Sequence, residues 1–171
     1  MILQAPLYFL HALAEIGVRE VAGDGHNENI LKYWDEAGIP QGKGGGGDET
    51  PWCAAFVGAM LMRGGAQPSG KGSAKSYQLW GKEAHGINLL GAVVVLDRPD
   101  PAPKWQGHVG FCCGFTASKI NILGGNQSDR VSIAAFPRSR VVAVRYPSSW
   151  DIKQFDRAIL LRATQIDPAD R

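Results

Sequence analysis

Cysteine is scarce in this chain of 171 residues: Cys53 stands alone, and Cys112 and Cys113 are adjacent. An odd and unevenly spaced set matches neither a disulfide framework nor a CxxC metal pair, and it suits a reducing compartment. Long apolar runs are missing too. No stretch approaches the roughly 18 apolar residues that a membrane-spanning helix needs, so a transmembrane segment is excluded. Met1 to Pro6 lacks a basic region, and His11 and Glu15 interrupt the apolar stretch that follows, with no small-residue cleavage site. A signal peptide is therefore not read here, and synthesis in the cytoplasm is the expectation. Lys and Arg, 18 against 16 Asp and Glu, are dispersed and leave a net charge of +2, which gives no nucleic-acid footprint. His11, His26 and His85 show no i, i+4 spacing with one another or with His108, which argues against a zinc site; no metal and no other cofactor is expected.

What is present begins with helical periodicity. Leu7, Leu10 and Ala14 form one stripe, stopped by Gly17, and Ile30, Tyr33, Trp34 and Ala37 form a second, stopped by Gly38. Pro40 to Gly47 is dominated by glycines, which lose much backbone entropy on ordering, and predicts a mobile loop. It lacks the Gly-Lys-Ser/Thr ending of a phosphate-binding loop. A third helix is predicted from Thr50 as N-cap and Pro51 as first residue to Gly64-Gly65, with small residues at 54, 55, 58 and 59 suited to close packing on a sheet. A short fourth helix is predicted from Ser73 to Trp80.

From residue 91 the period changes to that of strands: 92–96, 107–115, 119–123, 131–136 and 141–146, separated by turns rich in Pro, Gly and Asp. Helices followed by consecutive strands indicate an α+β fold with an antiparallel sheet. At this length one domain is expected, over residues 1–149. The tail 150–171, with Ile152, Phe155 and Ile159 at helical spacing, is predicted as a packing helix.

Two residues carry the chemistry. With Thr50 as cap, Cys53 falls among the unpaired N–H groups at the positive end of the third helix, where a thiolate is favoured over a thiol. His108 opens the strand Gly107–Phe115, where a titrating side chain implies that this strand end reaches a cleft. Alternation sets His108, Gly110 and Cys112 on one face and Val109, Phe111 and Cys113 on the other. Pairing Phe115 with Ile120 across the next turn brings His108 opposite Asn126 or Gln127, within a slip of a residue or two. A thiolate, an imidazole and an amide that orients it are the parts of a cysteine hydrolase.

The segments 49–57 (Glu-Thr-Pro-Trp-Cys-Ala-Ala-Phe-Val), Ser73-Ala74, Gly107-His108-Val109-Gly110-Phe111 and 123–129 (Leu-Gly-Gly-Asn-Gln-Ser-Asp) resemble, in order, the signature blocks of a phage and bacterial branch of CHAP-like cysteine peptidases. The resemblance spans roughly residues 7 to 147 as a set. It implies a papain-like fold, with N-terminal helices packed on an antiparallel sheet, that hydrolyses an amide bond of bacterial peptidoglycan. The activity would be that of an N-acetylmuramoyl-L-alanine amidase or a stem or cross-bridge endopeptidase. Carried over block by block, Cys53 is the nucleophile, His108 the base and Asn126 the orienting residue, while Gln127 or Asp129 compete for the third role. The acidic calcium motif of some CHAP domains has no counterpart before Cys53, where only Asp48 and Glu49 occur. Trp52 and Trp105, which flank the catalytic blocks, and Gln127 are the expected substrate contacts. A phage endolysin and an antibacterial effector, the latter with an immunity protein and a delivery apparatus, both fit action at the cell wall or periplasm after lysis or export. The competing readings are a non-catalytic wall-binding module and a toxin amidase acting on a protein.

Overall fold

Burial of the apolar positions explains the layering of the chain. A computed structural model describes residues 5–40, 50–84 and 90–150. It contains helices α1 (Leu7–Ala14), α2 (Glu28–Glu36) and α3 (Cys53–Arg63), a 3-10 helix at Ala74–Leu79, and strands β1 (Lys82–Glu83), β2 (Val93–Asp97), β3 (Gly107–Phe115), β4 (Lys119–Gly124), β5 (Ser132–Pro137) and β6 (Val141–Tyr146). The six strands form one antiparallel sheet in the order β1-β6-β2-β3-β4-β5. The fold is α+β, as expected. Strand β1 was not expected: its two residues, Lys82 and Glu83, are too few to show a period. The fourth helix adopts the tighter 3-10 form.

Asn27 caps α2 by accepting from the Asn29 N–H at 2.9 Å, and Ile30, Tyr33 and Trp34 turn inward. Helix α3 is buried from Cys53 to Leu61 on every side, which marks it as the central helix. Its small residues do not serve the sheet alone. A Cβ on Gly58 would lie 2.6 Å from Ala37 Cβ, so this glycine sets the approach of α3 to the end of α2. Arg63 at the far end of α3 donates to Glu36 at 2.7 Å and to Glu15 at 2.8 Å, tying the three helices together.

Helix α1 has its predicted bounds but not its predicted face. Tyr8, Phe9 and Ala12 are buried, whereas Leu7, Leu10 and Ala14 face outward. The aromatic rings decide this: Tyr8 stacks against Phe111 and Trp150 and donates its hydroxyl to the Gly91 carbonyl at 2.9 Å. The sheet is covered on both faces. Val93, Val95, Val109, Phe111, Cys113 and Leu123 pack toward the helices, and Val94, Leu96, Cys112, Ile120 and Ile122 form a second cluster on the outer face. The predicted alternation of β3 therefore holds. No helix among the described residues is long and apolar enough to cross a membrane. The expected glycine loop over 40–47, apart from Pro40, lies outside the described residues, as do His85 and the expected helix after Trp150.

Candidate active site

Cys53 is the first residue of α3, not the third, because the chain turns helical only after Trp52, whose side chain forms no cap bond. Thr50 and Pro51 precede the helix. The thiol is buried, with 7% of its surface exposed. Burial pushes its pKa up, against the pull of the backbone N–H groups of Val109, Ala54 and Cys53 and the charge of Arg98. Loss of solvation works against the expected resting thiolate and favours the neutral thiol.

The N–H of Val109 points away from β2 for a reason that lies in the sheet. Cys112 donates its N–H to Ala92 beside β2, so alternation turns the N–H of Val109 toward β4. Strand β4 has no partner to offer there, because its pairing with β3 ends at Phe111 and Leu123. The gap where β4 leaves β3 is where α3 delivers Cys53. Gly125 passes under α3 at that point, since a Cβ on it would lie 2.4 Å from the Trp52 ring.

His108 lies on the adjacent residue of β3. Its Nε2 is 2.9 Å from Gln127 Oε1. The Gln127 amide nitrogen donates to Ser132 O at 2.6 Å, Ile122 O at 3.3 Å and Ser132 Oγ at 3.2 Å, which fixes the amide with its oxygen toward the ring. His108 Nε2 therefore carries the proton, and Nδ1 keeps the basic lone pair. Burial holds the imidazole pKa down at about 4, the Gln127 bond opposes this, and the charges of Arg140 and Arg98 add to the depression. A Cβ on Gly124 would lie 3.1 Å from His108 Nε2 and 2.9 Å from Gln127 Oε1, so glycine is required beside this bond.

The amide bonded to the imidazole is thus that of Gln127, where Asn126 was expected. A bulge at Cys113 shifts the β3–β4 register by one residue, and the turn after Gly125 runs through positive φ at Asn126 (56°), Ser128 (52°) and Asp129 (59°). This winding sends the Gln127 side chain inward, while Asn126 lines the cavity beside the imidazole. Gln127, expected as a substrate contact, borders that cavity but is only 5% exposed, with its amide bonded to His108 and Ser132. Trp52 is likewise buried; its indole N–H donates to Glu20 at 2.7 Å and its ring packs on Tyr33 and Phe56. Trp105 is 71% exposed and lines the cavity at Cys53, a position compatible with substrate contact.

Two cavities meet at the start of β3. One, of about 420 Å³, contains Cys53, Pro51, Ser73, Trp105 and Gly107; the other, of about 410 Å³, contains His108, Asn126, Phe136 and Arg140. Arg98 borders both. Among the described residues no hydrogen bond joins Cys53 Sγ to the His108 ring. They are close along the backbone, because Val109, whose N–H acts to lower the Cys53 pKa, is the residue next to His108. Arg98 and Arg140 were not singled out in the sequence. Arg98 does fall in the proline-containing segment from Asp97 to Trp105 that borders the cleft, whereas Arg140 gives no local signal. No group of three His, Cys, Asp or Glu among the described residues could hold a metal ion. No protein-family model matches the chain, and no curated protein matches it.

Proposed function

We propose that this chain is a papain-like cysteine hydrolase of the CHAP-like class that cleaves an amide bond of bacterial peptidoglycan, as an N-acetylmuramoyl-L-alanine amidase or as a stem or cross-bridge endopeptidase. The observation that carries the reading is the His108–Gln127 bond. It leaves a basic Nδ1 on the residue next to Val109, whose N–H acts to lower the Cys53 pKa. The order of the resembling blocks and the α3-on-sheet architecture support the same class.

In this reading both groups rest neutral. Substrate entry brings thiol and imidazole together, and such hydrogen bonds often tighten only in the Michaelis complex. Cys53 passes its proton to His108 Nδ1 as sulfur attacks the scissile carbonyl, and the imidazolium that forms keeps its Nε2 proton on Gln127. His108 then protonates the leaving amine. Water, deprotonated by His108, releases the acyl group and regenerates the thiol. The N–H groups of Cys53 and Ala54 at the start of α3 can receive the developing oxyanion.

The test compares wild type with Cys53→Ala on isolated sacculi, with released fragments read by mass spectrometry. Wild type is expected to release free stem peptides or expose new amine termini, and the variant to lose at least about three orders of magnitude in rate. Fragments absent from wild-type digests, or equal release by the variant, would overturn the reading.

A further inference from the structure

The cavity beside His108 has a charge imbalance that the hydrolytic reading does not use. Arg98 and Arg140 both line it, and the other lining groups are neutral: Asn126, Gln127, Ser128, Phe136, small residues and the imidazole. Asp97, next to Arg98 in the chain, is bound by Lys75. Arg140 is held in place, with Nε donating to the Asp97 carbonyl at 2.7 Å and the guanidinium 5.2 Å from the Phe136 ring centre. Phe136 in turn packs on the His108 ring at 5.4 Å. Arg98 is exposed, and among the described residues it has no hydrogen-bond or ion-pair partner. Burial and the charge of Arg98 lower the pKa of Arg140, and Asp97 offsets this only in part.

We infer that this cavity binds a free carboxylate of the peptide substrate between Arg98 and Arg140, so that the scissile amide is selected by a neighbouring acidic residue. This rests on the hydrolase reading and names its substrate class. Planar guanidinium groups suit a planar carboxylate, to which they can donate two parallel hydrogen bonds. Arg140 supplies the fixed side of the site, and Arg98, which borders the Cys53 cavity as well, supplies the side that reaches over the cleft. A phosphate backbone is a poorer match, because the two cations share a cavity rather than an extended track.

Binding also acts on the base. The charged groups facing His108 are Arg98 beyond β2 and Arg140 before β6; β4 and the turn after it contribute only the neutral Gln127 and Asn126. A carboxylate between the guanidiniums offsets both, and the pKa of His108 rises toward its ordinary value as the acidic substrate docks.

The test uses Cys53→Ala, so that binding is read without turnover. N-acetyl-L-alanyl-D-isoglutamyl-L-lysine and the same peptide with D-isoglutamine, which replaces the free carboxylate by a carboxamide, are titrated by calorimetry, and His108 is followed by NMR. The carboxylate peptide is expected to bind at least about tenfold more tightly. Only this peptide should raise the His108 pKa. Adding Arg98→Gln, at an exposed side chain, should remove most of the preference, and Arg140→Lys, which keeps the charge but not the fork, should weaken it. Equal affinities, no binding of either peptide, or a preference that survives Arg98→Gln and Arg140→Gln together would overturn the inference. Digestion of sacculi by wild type is read separately, so loss of selectivity is distinguishable from failure of the hydrolase reading.

Discussion

The cavities at Cys53 and His108 have nearly equal volumes, about 420 and 410 Å³, but different chemistry. The first is lined mainly by apolar and small residues, among them Ile39, Pro51, Gly72 and Ala74, and it surrounds a buried neutral thiol. The second holds an imidazole fixed by an amide, with two arginines nearby. Desolvation acts in both, but with opposite sense on the pKa values: it raises that of the thiol and lowers that of the imidazole, and so keeps both groups uncharged. A cysteine at a helix N-terminus is therefore not activated by that position alone. In the proposed hydrolase, His108 would supply the base from the neighbouring position of β3.

The largest expected effect separates Gln127 from Asn126. Gln127→Ala removes the partner of His108 Nε2 and the donor to two buried carbonyls, and should cost about 4 kcal/mol of stability and on the order of a hundredfold in kcat/KM. Asn126→Gly, at a φ of 56° that glycine tolerates, should leave activity within about threefold and stability unchanged or slightly higher. Denaturant titration and hydrolysis assays on the two variants decide which amide orients the base; a larger loss of activity from Asn126→Gly would reverse the assignment.

Next in size is the pH dependence. Folding lowers the pKa of His108 from its unfolded value near 6.5 to about 4, so between these values the unfolded chain binds more protons than the native one. Stability should fall as pH drops from 6.5 to 4, by up to about 3 kcal/mol, and show no contribution from this residue above 6.5. His108→Gln should flatten that slope in urea titrations across the window. An unchanged slope would place the titration elsewhere.

The smallest effect belongs to Trp105. Exposed at the rim of the Cys53 cavity, it should affect binding alone: Trp105→Ala is expected to raise KM about three- to tenfold with kcat and melting temperature unchanged. A fall in melting temperature would make it a packing residue after all.

Much of the fold was legible. The bounds of β3 and β6, the buried stripe of α2 and the α+β order follow from local periodicity, which short-range sterics and burial both enforce. The face of α1 was not legible, since the leucines form an equally periodic stripe and only contact with Phe111, Gly91 and Trp150 selects the aromatic side. At the site, Cys53 and His108 were singled out by position, a cysteine before a helix of small residues and a histidine opening a strand. Register narrowed the partner of the imidazole to Asn126 or Gln127 and the resemblance favoured Asn126, whereas the structure pairs His108 with Gln127, a difference of one residue.

Cys53, His108 and the order of helices and strands were thus determined by the sequence itself, through periodicity and residue chemistry that act over a few positions. The bulge at Cys113, the positive-φ turn that sends Gln127 inward, the parting of β4 from β3 and the meeting of Arg98 with Arg140 were decided only in the tertiary structure. Each of these depends on contacts between residues far apart in the chain. The same contacts set solvation, and solvation fixes the charge state of the thiol and the imidazole.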